Sequence, residues 1–331
     1  PDSGLVAFLE TPRYSTGYAA LFQTLPFVTE THMLKSFGRR VQAQYRFLKA
    51  LLSLTAEEAP RIAAARKRAR RHWQQRDSFH LAWELDTTRW DMVDFRGYEA
   101  SMKPGALTGK PRRHYDRSSP WHHPIRYYNT YRPTVTVRKP AGGYLLPQAW
   151  REAVNVLLFN GIEFRRLERD TTLRAEVYAI QELNTPESPY EGHYLHSDIR
   201  VKRDTQTIRF FAGDYLIPAD QPKIRYAVEA LEPQSVDGLF AWNFFDEILM
   251  RKEYFSAYLF EEKADSIVAA RPGLRAAYEQ KMANDTSFAA DPDAQLAFIY
   301  RHSQYSEASF RRYPVVRLLD AAEESAPGSS H

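Results

Sequence analysis

The spacing of apolar residues changes twice along this chain, and that change constrains its fold more than any other feature. After Gly38, apolar residues recur every three or four positions, as on one face of an amphipathic helix. These residues are Val41, Tyr45, Leu48 and Leu52. Between Ser78 and Lys139, β-branched and aromatic residues alternate with polar ones, which is typical of strands. Residues 221–306 return to helical spacing. The sequence therefore predicts a mixed fold, α/β and α+β, with a β-rich middle.

Composition excludes several classes of protein. The chain has 331 residues, no cysteine, and 45 Lys and Arg against 41 Asp and Glu. Without cysteine there is no disulfide, no cysteine-ligated zinc and no cysteine nucleophile. A net charge of +4 is too small to favour nucleic acid by itself. No apolar run approaches the roughly 20 residues of a membrane span. We therefore expect neither a nucleic-acid nor a membrane partner.

The most basic stretch is Arg66–His72, for which two interpretations exist. A cationic helix face could contact phosphates. Alternatively, the arginines lie on a solvated helix and pair with carboxylates such as Glu57 and Glu58. The aromatic residues that single-strand binding needs are nearly absent before Trp73, so we favour the solvated helix.

Phosphate-binding and metal-binding motifs are weak. The stretch Gly105–Lys110 is one residue short of a phosphate-binding loop, and Pro111 stands where a Ser or Thr would hold magnesium. It falls in a polar stretch, residues 103–126, that we predict to be a long loop. His193 and His196 lie three apart, so on one strand their side chains diverge. We therefore predict no metal site from this chain's histidines.

One carboxylate stands out by its position. The apolar run Leu25–Thr29 predicts a buried strand, and Glu30 follows it directly. Burial raises the pKa of a carboxyl group toward the range useful for a general base. The alternative is an ordinary salt bridge, with partners such as Lys35 or Arg39. On spacing alone, the salt bridge is the more frequent outcome.

The same segment resembles a known family. Two motifs, Pro-Arg-Tyr-Ser-Thr-Gly-Tyr-Ala-Ala-Leu and Pro-Phe-Val-Thr-Glu-Thr-His-Met-Leu-Lys, precede the amphipathic helix. Together they resemble the closing portion of bacterial zinc carboxypeptidases of the carboxypeptidase A-like family. The resemblance implies that Glu30 is the general base acting on zinc-bound water. It also implies that Tyr14 or Tyr18 contacts substrate from a loop over Arg13–Tyr18, and that Arg39–Leu54 is the last helix of the catalytic domain.

His32 lies two residues beyond Glu30 and would share its strand face. It would then orient the Glu30 carboxylate; a packed structural histidine is an equally good interpretation. The family also needs a His-x-x-Glu motif, a later His and substrate-binding arginines, all upstream of the glutamate, and this metal motif does not occur here. The resemblance therefore implies a zinc cofactor whose ligands are not in this chain.

We accordingly expect a C-terminal part of a longer metallopeptidase that acts on peptide or amino-acyl amide bonds. Its partner would be the upstream zinc-binding portion, and this part alone would be inactive. Residues 1–54 should then expose more apolar surface than a finished domain tolerates.

The expected organisation has four parts. Residues 1–75 would form the terminal strands and helices, the C-terminal edge, of a carboxypeptidase-type α/β domain. Residues 76–220 would form a β-rich accessory domain, 221–320 a helical closing segment and 321–331 a disordered tail. Later segments, such as Leu-Phe-Ala-Trp-Asn-Phe-Phe, are similar to the accessory region of some bacterial members.

A rival hypothesis is a non-catalytic module that binds a ligand or peptide through an aromatic loop, residues 112–132. Aromatic faces beside arginines bind sugars, peptides or other domains. The rings in question are Trp121, His122, His123, Tyr127, Tyr128 and Tyr131. The alternative, which we favour, is that these rings pack the loop onto the β-rich domain or cover the missing catalytic half.

Overall fold

The computed structural model describes residues 4–319. It contains helices and largely antiparallel sheets, which confirms the mixed fold predicted from the sequence. The described strands are β1 Leu5–Val6, β2 Ser78–Leu85, β3 Asp91–Pro104, β4 Pro111–Tyr128, β5 Tyr131–Arg138, β6 Gly143–Leu146, β7 Arg165–Arg166, β8 Thr171–Asn184, β9 Ser197–Phe210, β10 Tyr215–Ile217 and β11 Val316–Leu318. They form a six-stranded sheet of order β7-β10-β6-β11-β8-β9, a three-stranded sheet β1-β4-β3 and a two-stranded sheet β2-β5.

The helices lie largely where helical spacing predicts them. They are α1 Ser15–Leu21, α2 Phe37–Glu57, α3 Ala59–Gln75, α4 Arg151–Phe159, α5 Ile224–Leu231, α6 Ala257–Ala270, α7 Pro272–Asn284, α8 Thr286–Ala289 and α9 Pro292–Arg301, with a 3-10 helix at Asp246–Leu249. Pro60 lies in the first turn of α3, where its missing N–H leaves no helical hydrogen bond unmade. Helix α2 ends and α3 begins just before this proline. No helix in the described range is long and apolar enough to cross a bilayer.

The six-stranded sheet is the centre of the molecule. Its strands β6 and β10 carry the related segments Tyr-Leu-Leu and Tyr-Leu-Ile, and they pair with each other, with Tyr144 opposite Ile217. Every residue of β6 is buried, because the sheet is covered on both faces. The main core cluster combines residues from 1–75, 76–220 and 221–320, for example Leu21, Leu146 and Phe240. The three ranges thus share one apolar core, while the division into domains stays a prediction.

The prediction of a long loop over residues 103–126 is wrong. Most of it lies in β3 and β4, which pair as a long hairpin from Asp91–Tyr127 to Pro104–Pro111. The turn closes with a hydrogen bond from the Gly105 N–H to the Lys110 carbonyl, at 2.9 Å. Local composition misled the prediction, because the Pro and charged residues of this hairpin are exposed, and none of them belongs to an apolar core cluster of the described chain.

The predicted strand at Leu25–Thr29 is also wrong. Residues 24–32 have no regular secondary structure, and most of them are exposed. An isolated apolar run becomes a strand only when a neighbouring strand satisfies its backbone, and the described residues supply none here. The predicted disordered tail, 321–331, lies outside the described residues.

Candidate functional site

Glu30 lies in the irregular segment between α1 and α2, and it is exposed. It therefore does not follow a buried strand, as expected from the sequence. The segment before it is nevertheless held in place. The side chain of Gln44, on α2, donates from Nε2 to the Thr29 carbonyl at 3.1 Å and accepts from the Thr29 hydroxyl. These two bonds fix the backbone immediately before Glu30.

The start of this segment is held by α3. Arg66 donates from Nε to the Gln23 carbonyl at 3.0 Å and from its guanidinium to the Thr24 hydroxyl at 3.3 Å. Phe27 packs against Phe47 of α2, with ring centroids 6.2 Å apart. Contacts with helices α2 and α3 therefore hold the segment that carries Glu30 in place. Most apolar side chains of this segment are nevertheless exposed to solvent.

Within the described part of the chain, no hydrogen bond or ion pair joins His32 to Glu30. Its Nδ1 accepts a hydrogen bond from the Leu34 N–H at 3.2 Å, which stabilises a local turn. An orienting role for His32 therefore stays a prediction.

Tyr14 and Tyr18 are not in a free loop, because most of Arg13–Tyr18 is in or beside α1. Tyr14 immediately precedes α1 and packs edge-on against Phe8, with centroids 4.9 Å apart. The Tyr18 hydroxyl donates to Asn160 Oδ1. The two tyrosines line different cavities, and neither cavity is lined by Glu30 or His32. The structure thus does not bring the four predicted residues into one site.

The cavity beside Tyr18 has a volume of about 180 Å³ and combines aromatic walls with two carboxylates, Glu229 and Asp237. Asp237 holds the segment just before α1 in place, because Arg13 donates hydrogen bonds to its carboxylate from Nε at 2.7 Å and from the backbone N–H at 3.0 Å. Gly17 lets the preceding backbone pack closely against α1, because a Cβ there would lie 2.1 Å from the Thr11 carbonyl oxygen.

Glu229 is a group that the sequence reasoning missed. It lies on α5, is 6% exposed, and accepts a hydrogen bond from the Ser235 hydroxyl at 2.7 Å. Desolvation raises the pKa of Glu229 from its ordinary 4.5 to about 7, although the Ser235 hydroxyl and Arg225 oppose the shift. The only sequence signal was an acidic residue within the otherwise apolar run Ala227–Leu231.

His196 is a second group that spacing alone did not reveal. Its ring is buried, with Nδ1 2.9 Å from the Thr185 hydroxyl and Nε2 2.9 Å from Asp246 Oδ1. His193 instead packs against Trp242. Neither histidine lies on a strand, because β9 begins at Ser197, so the prediction made for two histidines on one strand does not apply. The Thr185–His196–Asp246 contacts tie the β8–β9 connection to the 3-10 helix.

The rings of residues 112–132 do not form an open platform. Trp121 packs between Phe95 and His123, at centroid distances of 5.9 and 4.5 Å. The Tyr131 hydroxyl donates to the Ala7 carbonyl at 2.6 Å. These contacts fit the packing interpretation, and a ligand-binding role for this stretch stays a prediction.

Zinc does not fit the residues that the structure describes. Across residues 4–319, no three His, Asp or Glu side chains are placed to hold one metal ion. The two predicted residues with metal-type chemistry, Glu30 and His32, have no third ligand beside them.

Comparison with known proteins gives a weak, partial relationship. Over 103 residues the chain is 27% identical to a protein named Carboxypeptidase 2 from Trichophyton tonsurans, a match that covers 31% of this chain and 19% of that protein. Carboxypeptidase 2 from Trichophyton equinum matches to the same extent. The aligned part thus spans about a fifth of the length of these curated relatives. No protein-family model and no solved structure matches the chain. The similarity loosely supports a relationship to carboxypeptidases.

Proposed function

We propose that this chain is the closing part of a zinc metallocarboxypeptidase that hydrolyses peptide or amino-acyl amide bonds, with Glu30 as its general base. The motif resemblance and the partial similarity to Carboxypeptidase 2 support the class of enzyme. The observation that carries the proposal is the unpartnered apolar surface around Glu30.

This surface, which we call the apolar strip, runs from Leu25 to Leu52. Large apolar side chains are exposed on both sides of Glu30, and α2 has no buried residue although it is 21 residues long. The exposed members of the strip are Leu25, Phe27, Val28, Met33, Leu34, Phe37, Val41, Tyr45, Phe47, Leu48 and Leu52. A contiguous apolar surface of this kind is typical of an interface rather than of free protein surface. An upstream portion packed on the strip would exclude water from around Glu30.

The proposal assigns the zinc ligands to that upstream portion, because the described residues do not provide a zinc site. This chain would supply Glu30, whose carboxylate can hold and release a proton. The Thr29–Gln44 hydrogen bonds would position that carboxylate from α2.

The test compares Glu30→Gln with Glu57→Gln in the complete protein, of which we propose this chain is a part. Both changes remove one exposed carboxylate, and Glu57 lies at the far end of α2. Loss of a general base typically costs about 10²–10⁴-fold in rate. We expect that loss in peptide hydrolysis for Glu30→Gln only, with bound zinc unchanged in both variants. This chain alone should be inactive.

Two results would contradict the proposal. Full activity of Glu30→Gln would remove Glu30 from the role of base. Zinc-dependent hydrolysis by the 331-residue chain alone would show that the upstream portion is not required.

A further inference from the structure

The outer half of the β3–β4 hairpin, residues 98–120, forms a surface that the proposed function does not use. We call it the distal ribbon. It begins at the register shift beside Tyr98 and ends at the Pro104–Pro111 pair. None of its residues is buried, and Leu107 at the turn is 97% exposed. Seven residues of strand extend about 20 Å, so the ribbon reaches well beyond the β1–β4 pairing at its base.

The distal ribbon carries much of the chain's excess positive charge. It contains five Lys and Arg residues but only Glu99 and Asp116 as acidic residues, a net charge of +3 against +4 for the whole chain. The basic residues are Lys103, Lys110, Arg112, Arg113 and Arg117. None of the five has a carboxylate within 4 Å among residues 4–319. Asp116 instead accepts hydrogen bonds from the Ser118 N–H and hydroxyl.

Two of these cations face each other across the ribbon. Lys103 is directly opposite Arg112, close to the turn. Like charges at directly opposed positions destabilise a strand pair. Lys103 is offset only in part by Asp116, whose pKa the Ser118 hydrogen bonds and, to a smaller extent, the charge of Lys103 lower. An anionic partner bound between Lys103 and Arg112 would offset the repulsion between them and interact favourably with both.

The backbone of the ribbon also has open edges. β3 is the outer strand of its sheet, and β4 pairs on its far side only at Tyr127 and Tyr128. Over residues 98–104 the outward N–H and C=O groups of β3 pair with no other strand of the described chain. An extended peptide can add to such an edge by main-chain hydrogen bonds. Lysines at an edge also prevent self-pairing, which is the simpler explanation for the charge.

We propose that the distal ribbon binds an extended acidic polypeptide by strand addition at the β3 edge, with Lys103 and Arg112, which lie on the same face of the ribbon, contacting its carboxylates. Open backbone edges favour a polypeptide over a nucleic acid. Base stacking would need more aromatic faces than Tyr98, His114 and Tyr115, the three rings of the ribbon.

The probe is a fluorescent peptide of alternating Glu and Val, titrated with the full chain by anisotropy. A peptide of alternating Glu and Pro has the same charge but cannot donate the main-chain hydrogen bonds of a strand. We expect the Glu-Pro peptide to bind at least 10-fold more weakly than the Glu-Val peptide. Binding of the Glu-Val peptide should weaken at high salt, because the contacts are exposed.

The variant Lys103→Gln/Arg112→Gln is compared with Lys67→Gln/Arg71→Gln, which removes the same two residue types from exposed positions on α3. We expect at least 10-fold weaker binding for the ribbon variant and less than 2-fold for the α3 variant. Circular dichroism and the unfolding midpoint check that both variants fold.

Three outcomes would overturn the proposal. These are no binding of the Glu-Val peptide at 1 mM, equal weakening by the two variants, and equal binding of the two peptides. Ribbon-dependent binding of a single-stranded oligonucleotide or of vesicles with anionic lipid, tighter than that of the peptide, would also overturn it. The ribbon would then belong to a different class of interaction.

Discussion

At the scale of single residues, Glu229 shows how tertiary structure changes the chemistry of an ordinary side chain. It lies on a short helix beside a cavity, and it accepts a hydrogen bond from the Ser235 hydroxyl. Desolvation raises its pKa to about 7. Burial of a charged carboxylate is costly, so the folded protein favours the protonated form.

This shift predicts a pH dependence of stability. Unfolded Glu229 ionises near its ordinary pKa of 4.5, whereas folded Glu229 holds its proton up to about pH 7. Since the folded state binds more protons between these values, the free energy of unfolding falls as pH rises from about 4.5 to 7. The loss is about 3 kcal/mol. Glu229→Gln should remove that part of the pH dependence, as measured by urea unfolding at pH 5 and pH 8.

The matched control is Glu261→Gln, an exposed glutamate on α6. It should keep the wild-type difference between pH 5 and pH 8. An unchanged pH dependence in Glu229→Gln would contradict the assignment of the raised pKa to this residue.

Glu30 is the opposite case, a carboxylate predicted to follow a buried strand that is exposed in the structure. The sequence predicts a carboxylate at the end of a buried strand, and the structure places it on an exposed segment. Whether a carboxylate is buried depends on what packs over it, and the preceding apolar run does not contain that information.

At the scale of elements, a buried polar network links β11 to two neighbouring strands and to the end of α5. Arg317 on β11 donates to the Tyr178 hydroxyl at 2.6 Å and lies 3.5 Å from Glu232. The hydroxyls of Tyr144 and Tyr178 donate to the two Glu232 oxygens, at 2.7 and 2.9 Å. Desolvation raises the pKa of Glu232, and Arg317 opposes that shift.

Removal of Arg317 alone should cost more than removal of the charges of both Arg317 and Glu232. Glu176, whose Oε1 lies 3.1 Å from Arg317 Nη1, is unchanged in both variants. Arg317→Leu leaves Glu232 buried without its cation, which typically costs about 3–5 kcal/mol. Adding Glu232→Gln removes the unpaired buried charge, and the glutamine side-chain oxygen can still accept a hydrogen bond from a tyrosine hydroxyl. We therefore expect the double variant to be more stable than Arg317→Leu alone, by at least about 1 kcal/mol in urea unfolding.

The single variant Glu232→Gln completes the cycle. Additive effects of the two changes would show that Arg317 and Glu232 do not depend on each other. Sequence spacing did not reveal this pair, since its members lie 85 positions apart and meet only because β11 enters the sheet between β6 and β8.

The elements themselves were predictable to different degrees. Helix α2 agrees with the prediction because helical spacing is a local property of 21 consecutive residues. The β3–β4 hairpin was missed because its pairing joins residues up to 36 apart and its composition is polar. Strand pairing is non-local, so local composition predicts it poorly.

At the scale of the whole molecule, the apolar strip is the main departure from an ordinary protein surface. It covers α2 and the segment before it, while the main core lies around the six-stranded sheet. The stability of this chain therefore should not depend on the strip.

The corresponding variant is Leu48→Gln/Leu52→Gln, two exposed leucines of α2. We expect the free energy of unfolding to change by less than about 0.5 kcal/mol, as for other exposed positions. Self-association of the chain should weaken, because exposed apolar patches promote it. Urea unfolding and light scattering measure the two effects.

Leu157→Gln is the control, since Leu157 on α4 is fully buried in the main core. Burial of an unpaired amide there should cost at least about 2 kcal/mol. Equal destabilisation by the α2 double variant would mean that the strip is packed in solution, and would weaken the case for an upstream partner.

The sequence by itself determined the mixed fold class, the helices α2 and α3, and the motifs that resemble a carboxypeptidase, because these depend on residues close together in the chain. Only the tertiary structure decided that Leu25–Thr29 is irregular, that residues 103–126 form a hairpin, and that Glu229 and Glu232 are buried. Each of these depends on contacts between distant segments: a partner strand, a covering helix or a shared core. Local spacing encodes which face of an element is apolar, and tertiary contacts decide what, if anything, covers that face.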